Sequence, residues 1–538
     1  MAPDVQSPGA AATPPTLARS AASASAATMT SRVLGLVRDL VLAHQFGARD
    51  AMDAYNVAFR LPGMVRDLFA EGAMSAAFVP TFTQHLGASG QPAAFRLGNN
   101  VFNALLVVTG AVALLLMLAA PPLVSMFASD YHAVPGKFEL TVLLARIMLP
   151  ALTFIALAAA VMGMLNSLHH YFVPALAPAM FNVVTIVAAL AVMPLSRIGG
   201  VAPITIIAIA TIVGGLAQLG LQWPLLRREG FRWRPELNWR DEGLARILVL
   251  MGPGTLGMAA TQVNVFVNTW LATSQGTGAV SYLQYAFRIM YLPIGLFGVS
   301  IATAVLPAVS RHSARSDDRA IRTTLADGLS LMMMLNVPAT VGLIVLAHPI
   351  VQLLLERGRF TPDATIATAA ALQWYAVGLV GYSVTRIASP TFYALGRNRT
   401  PVAVGIVTII VNVVLNLALV RLYSFRGLAL GTSLAALFNG IVLMALLRHR
   451  LAGLDGTRLA GSFVRIVTAA IVMGVAAHWM MQMLESWVRG DALAAQIVRL
   501  GGTIGVALLV LAGTAWLLRI REFDDALSLV TGRFRRSR

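Results

Sequence analysis

Apolar runs long enough to cross a bilayer follow one another along almost the entire chain, and they constrain its fold more than any other feature. A hydrocarbon core roughly 30 Å thick is crossed by about 20 apolar residues in a helix. The sequence reads as fourteen such spans, near 28–46, 53–86 (broken), 100–128, 138–165, 172–195, 200–226, 244–272, 279–310, 325–347, 368–395, 401–421, 427–449, 462–485 and 493–520. The first two contain charges and are the least regular. Only 12% of the residues are charged and 57% are hydrophobic, with a mean hydropathy of +0.75. Soluble domains carry about 25% charged residues. The expected fold is therefore an all-α integral membrane protein whose surface mostly faces lipid.

The net charge of +17 raises nucleic acid as a partner. The basic residues argue against it, because they lie between apolar runs and never gather into a soluble basic domain. Their distribution sets an orientation instead. Arg227, Arg228, Arg232, Arg234 and Arg240 share one loop, and Arg311, Arg315, Arg319 and Arg322 another. Arg397 with Arg399, and Arg448 with Arg450 and Arg458, fill two more on the same side. The opposite loops are poorer in basic residues, so the rich side is cytoplasmic and an even span count places both termini there. Residues 1–27, rich in Ala, Pro, Ser and Thr, read as a disordered cytoplasmic tail. Residues 521–538 read as a basic cytoplasmic tail. With no cysteine, disulfides and thiolate metal sites are excluded.

The chain also repeats itself. Pro80 and Pro307 stand 227 residues apart, and so do Pro174 and Pro401. Leu61-Pro62 followed by Leu68-Phe69 resembles Leu292-Pro293 followed by Leu296-Phe297. These landmarks divide the chain into two pseudo-symmetric six-helix lobes, 28–230 and 244–450. A two-helix appendage at 460–520 remains. Transporters built from repeats place their site between the lobes and rock one against the other.

Several charged residues stand where lipid would penalise them. An arginine at the bilayer centre costs about 2.5–3.5 kcal/mol on insertion scales. The first span reads SRVLGLVRD, with Arg32 and Asp39 on one face and Arg38 about 120° round from Arg32. These arginines either line a wide cavity or snorkel to the interface. The second span carries Asp53, Arg60, Arg66, Asp67 and Glu71 around a Pro62-Gly63 break. They serve either a wet cavity or internal ion pairs. In the eighth span, Ser281, Gln284, Arg288, Tyr291 and Gly295 form one polar stripe. Asn264 with Asn268, and Asn412 with Asn416, are amide stripes of the kind that join membrane helices. Arg386 in the tenth span fits either cavity or interface.

Arginine excess in the spans predicts an electropositive interior, and its planar fork suits an anionic cargo such as a diphosphate. No nucleotide-binding loop, no nucleophile–base arrangement and no metal-ligand spacing stands out, so no catalytic residue, metal or cofactor is assigned. His169-His170 reads as a solvated pair in a short loop. Transport would draw on membrane potential or a coupling monovalent ion.

The segments SRVLGLVRD, DAYNVAFRLPGMVRDLFAEGAMSAAFVP, YAFRIMYLPIGLFGVSIATAVLPAVS and FYALGRNRTPV resemble the MurJ (MviN) family of lipid II flippases, within the multidrug/oligosaccharidyl-lipid/polysaccharide exporter superfamily. The resemblance runs over nearly the whole chain after residue 28. It implies an inner-membrane protein of peptidoglycan biosynthesis, which moves lipid II to the periplasmic leaflet by alternating access. It matches Arg32, Arg38, Arg66 and Arg288 to the family's cavity arginines and Asp53 to its second-span acid. Arg60 is a further cavity candidate, with Asp39, Glu71, Gln284 and Arg386 as supporting residues. The resemblance also implies a lipid-tail groove by the last two spans, and membrane lipids and other cell-wall synthesis proteins as partners. Phe287 and Tyr291 depart from the family, which carries acids there. A polysaccharide-unit flippase is the alternative within transport. A drug–cation antiporter would want cavity acids, a scaffold would need no cavity arginines, and a glycosyltransferase would need a clustered acidic or metal site.

Overall fold

The computed structural model describes residues 14–67, 73–192, 202–295, 299–454, 456–490 and 492–523. Among these the chain forms helices and no strand. In order they are α1 (Pro14–Phe46), α2 (Asp50–Arg66), α3 (Ala73–Leu118), α4 (Ala120–Phe127), α5 (Lys137–Met148), α6 (Ala151–Ser167), α7 (Phe172–Val187), α8 (Pro203–Arg228), α9 (Glu242–Thr273) and α10 (Ala279–Pro293). There follow α11 (Val299–Ala314), α12 (Asp318–Val345), α13 (Ala347–Leu355), α14 (Pro362–Val377), α15 (Leu379–Ala394), α16 (Arg399–Tyr423), α17 (Phe425–Arg450), α18 (Gly456–Trp487) and α19 (Leu493–Leu517).

By length and hydropathy, nine helices among the described residues can cross a membrane, and a tenth if α14 and α15, bent by 42°, count as one span. The expected fourteen exceed this number. α1, α2, α9, α10 and α11 are not among these helices; they correspond to the first, second, seventh and eighth expected spans. The tail expectation is also corrected. Residues 14–27 are helical and continue into α1, because an Ala-rich stretch has the highest intrinsic helix propensity. Residues 87–99, expected between spans, are helical apart from a break at Gly90, whose φ of 79° suits a residue without Cβ.

The chain divides into two compact units: residues 1–42 with 54–259, and residues 43–53 with 260–538. The division falls inside α9 rather than in the 231–243 loop. The reason is packing, since Leu244, Ile247 and Met251 of α9 join the first unit's core with Phe78, Phe82, Leu97, Met164 and Phe231. In that unit α3 packs on α6, and α8 packs on both α6 and α7. In the second unit α17 packs on α14, α15 and α16. A Cβ on Gly381 of α15 would stand 2.5 Å from the Ala436 carbonyl of α17, the close approach that small residues allow between membrane helices. α18 and α19 are not a separate body: Ile466, Met473, Leu500 and Leu511 share a core with Met334 and Val337 of α12.

The repeat is visible inside each unit. α4 begins at Ala120 and α13 at Ala347, again 227 residues apart. The α6–α7 turn closes with His170 N donating to Leu165 O at 2.9 Å, and the α15–α16 turn with Arg397 N donating to Phe392 O at 2.9 Å. Each turn holds one left-handed residue at the same offset, His169 with φ 64° and Gly396 with φ 69°. This is the helix-ending turn that satisfies the last carbonyls.

Candidate functional site

The first unit holds Arg32, Arg38, Asp39, Arg60 and Arg66. Arg38 of α1 places Nε and Nη2 on Asp39 Oδ1, at 3.1 and 2.8 Å. Its guanidinium carbon also lies 5.9 Å from the Phe181 ring centroid on α7. Phe59 of α2 meets the same ring at 6.0 Å, and Asn182 Nδ2 donates to Ser31 O at 3.1 Å. α1, α2 and α7 thus converge around Phe181, with a cation–π contact holding the Arg38 head. Arg38 and Asp39 side chains are only 13% and 12% exposed, so simple snorkelling does not describe this pair. Arg32, two turns earlier, is exposed, and Arg60 is half-buried. Arg66 ends α2 and repeats the Arg38 arrangement, with Nε and Nη2 on Asp67 Oδ1 at 3.1 and 2.8 Å. Glu71 lies outside the described residues.

The second unit holds Asp53, Gln284, Arg288 and Arg386. Gln284 and Arg288 lie half-buried on successive turns of α10. Asp53, expected as a cavity residue, also has a structural role. It is fully buried and serves the start of α10, accepting from Gly278 N at 2.6 Å, Ser281 N at 3.1 Å and Ser281 Oγ at 2.7 Å. Helix α10 has Gly278 at its N-cap and therefore no capping side chain of its own. A carboxylate from a distant segment fills that role and complements the helix dipole. Asp50 reinforces the joint by accepting from Thr277 Oγ1 at 2.8 Å. Three donors on one buried carboxylate clasp the start of α10 to α2.

The two positions that depart from the family form an aromatic group. Phe287 stacks on Tyr291 at 5.8 Å and meets Tyr375 edge-on at 5.4 Å and Tyr382 at 6.3 Å. Arg386 Nη2 donates to Tyr291 Oη, and its guanidinium lies 5.8 Å from that ring. A phenol thus takes the arginine where a carboxylate would form an ion pair. The amide stripes act as inter-helix joints: Asn416 Nδ2 of α16 donates to Asn268 Oδ1 of α9 and, at 3.1 Å, to Asn412 Oδ1.

Sequence reasoning missed three features. His170, read as solvated, pairs with Glu229 Oε1 at 2.8 Å. The Tyr291–Arg386 contact was not foreseen. Nor was the clip formed by Asn99, Asn100 and Asn103, which the Asn-rich NNVFN spacing on one helical face signals. Among the described residues, no group of three His, Cys, Asp or Glu is placed to hold a metal.

The family described as Lipid II flippase MurJ matches residues 42–497. The chain belongs to the lipid II flippase MurJ family. Among the family's curated members it is similar to a probable lipid II flippase MurJ of Vibrio cholerae, 34% identical over 512 residues, covering 93% of this chain and 96% of that one. A lipid II flippase MurJ of Burkholderia cenocepacia is 34% identical over 456 residues, covering 84% and 88%. A solved structure of a lipid II flippase MurJ in an inward closed conformation superposes with a TM-score of 0.75 at 26% identity, covering 92% of this chain and 98% of that one. An inward-facing multidrug resistance MATE family transporter of the MOP superfamily shares the fold alone, with a TM-score of 0.66 at 17% identity, covering 79% and 96%. The protein is thus a multi-pass membrane transporter of this family, not an enzyme.

Proposed function

We propose that this protein carries lipid II, the undecaprenyl-diphosphate-linked disaccharide-pentapeptide, from the cytoplasmic to the periplasmic leaflet of the inner membrane by alternating access. The observation that carries the reading is the presence of Arg32, Arg38, Arg66 and Arg288 in the helices of a chain that matches lipid II flippases over most of its length. In this reading those arginines receive the diphosphate. Asp39 and Asp67 are then holding groups: they keep the Arg38 and Arg66 guanidinium planes oriented. A guanidinium has five N–H donors, so a carboxylate and a phosphate can share one. Both termini face the cytoplasm, and the energy source is the membrane potential or a coupling monovalent ion.

The test is rescue of cells depleted of their lipid II flippase, with membrane levels followed by blot. The wild-type chain restores growth. Losing one charge-assisted contact costs about 1.5–3 kcal/mol, roughly ten- to hundredfold in binding. Arg288→Ala therefore fails to rescue while still reaching the membrane, and Arg288→Lys rescues partially, because lysine offers a point charge in place of a fork. No rescue by the wild-type chain overturns the function. Full rescue by Arg288→Ala overturns the role of that arginine alone.

A further inference from the structure

A basic cavity of about 420 Å³ lies where α19 ends against α18, lined by Arg465, Ala515, Trp516, Arg519, Ile520, Arg521 and Phe523. We propose that it binds the phosphate headgroup of an anionic glycerophospholipid of the surrounding bilayer. The residues that line it all belong to the second unit and include none of the arginines assigned to cargo.

The backbone builds it. α19 closes with Ile520 N donating to Ala515 O at 2.9 Å and Arg519 N donating to Trp516 O at 3.1 Å. This helix-ending turn places Arg519 in the left-handed region, with φ 51°. Glycine is the usual occupant of such a position; here an arginine side chain stands there. The chain beyond the turn is fastened to α18, because Ile520 is buried and the buried Glu522 accepts from Ser462 Oγ at 2.7 Å. Ser462 lies one turn before Arg465, so the clasp sets Arg519 and Arg521 beside the Arg465 stem.

Three arginines therefore line one pocket, and the buried Glu522 next to Arg521 is engaged by Ser462. Asp524 and Asp525 follow in the sequence outside the described residues. Guanidinium forks match phosphate oxygens. Basic pockets between membrane helices are sites for anionic lipid headgroups. The rest of the wall suits the same occupant. Trp516 is 79% exposed at the rim, as an interfacial indole is. Val464, Leu509 and Leu517 present exposed apolar surface on α18 and α19 against which acyl chains can lie.

The experiment is native mass spectrometry of the full-length purified protein, titrated with phosphatidylglycerol and, separately, phosphatidylcholine of the same chain lengths. Wild type retains one phosphatidylglycerol at least tenfold more tightly than phosphatidylcholine. The triple variant R465Q/R519Q/R521Q loses that preference, and Arg521→Gln alone weakens it severalfold. The single variant keeps the result readable if the triple variant unfolds in a melting assay. Equal binding of the two lipids by wild type, or an unchanged preference in Arg521→Gln and the triple variant, overturns the proposal. Inorganic phosphate at millimolar concentration competes only weakly, because it lacks the apolar contacts; full displacement by it would show a free-phosphate site and overturn the lipid assignment. Preferential displacement by an undecaprenyl diphosphate would assign the cavity to cargo and overturn it equally.

Discussion

Asp53 illustrates how one side chain acquires a role that its residue type does not announce. An acid in an apolar span reads as a cavity group, and its carboxylate accepts from three donors at the start of α10. Removing a buried charged acceptor and stranding its donors costs about 2–3 kcal/mol. Asp53→Ala is therefore expected to lower the thermal unfolding midpoint of the purified protein and its level in the membrane, with Asp53→Asn intermediate because an amide oxygen still accepts. A variant that is made and melts as wild type but fails to transport would return Asp53 to the cargo site. Arg38 and Arg386 show the complementary point. Each guanidinium rests against a ring, Phe181 or Tyr291, which helps to hold a permanent charge in place; Arg38 is also paired with Asp39.

Among the elements, α3 and the segment between α8 and α9 are the most tightly interlocked. That segment reads FRWRPELNWR from Phe231 to Arg240 and has no regular structure of its own. Its backbone is satisfied by the three asparagines of α3. Asn99 exchanges hydrogen bonds with Arg234 at 2.8 and 3.0 Å, and Asn100 with Asn238 at 2.9 and 2.8 Å. Asn103 Nδ2 donates to Arg234 O at 2.6 Å and Glu236 O at 2.8 Å, while its Oδ1 accepts from Trp233 Nε1 at 2.9 Å. Side-chain amides here mimic a pairing strand and hold an otherwise open loop flat. Losing the Asn103 contacts costs about 1–2 kcal/mol locally, roughly a tenfold rise in the open population. Asn103→Ala should accelerate trypsin cleavage after Arg232 by about that factor while global unfolding barely moves. Cleavage at the wild-type rate would show that the amides do not restrain the strap.

For the whole molecule, the arginine-rich loops carry the topology. Arg228 is exposed at the end of α8, Arg232, Arg234 and Arg240 in the strap just described, and Arg448 and Arg450 at the end of α17. Positive loops are retained on the cytoplasmic side. Reporter fusions at Arg240 and at the carboxy terminus should both report inside, and a periplasmic signal at either point would refute the fourteen-span orientation. The recurrence of α4 as α13, and of one helix-ending turn at the same offset, is the structural counterpart of the proline spacing. Pro174 and Pro401 each stand in the first turn of a helix, where a missing N–H costs least, while Pro80 and Pro307 lie inside helices.

Some of this was determined by the sequence alone. Long apolar runs dictate membrane helices because lipid leaves the backbone no other hydrogen-bonding partner, and the repeated proline spacing reports the repeated elements. The arginines of α1, α2 and α10 stand out in the sequence because charge in lipid is costly and needs a reason. Tertiary structure decided the rest. That Asp53 caps a helix depends on a partner more than two hundred residues away, which no local pattern encodes. The same holds for the assignment of residues 43–53 and of α18 and α19 to the second unit, and for the Arg465–Arg519–Arg521 cavity. These follow from side-chain packing between distant segments, and the one-dimensional pattern constrains which faces are apolar but not which of them meet.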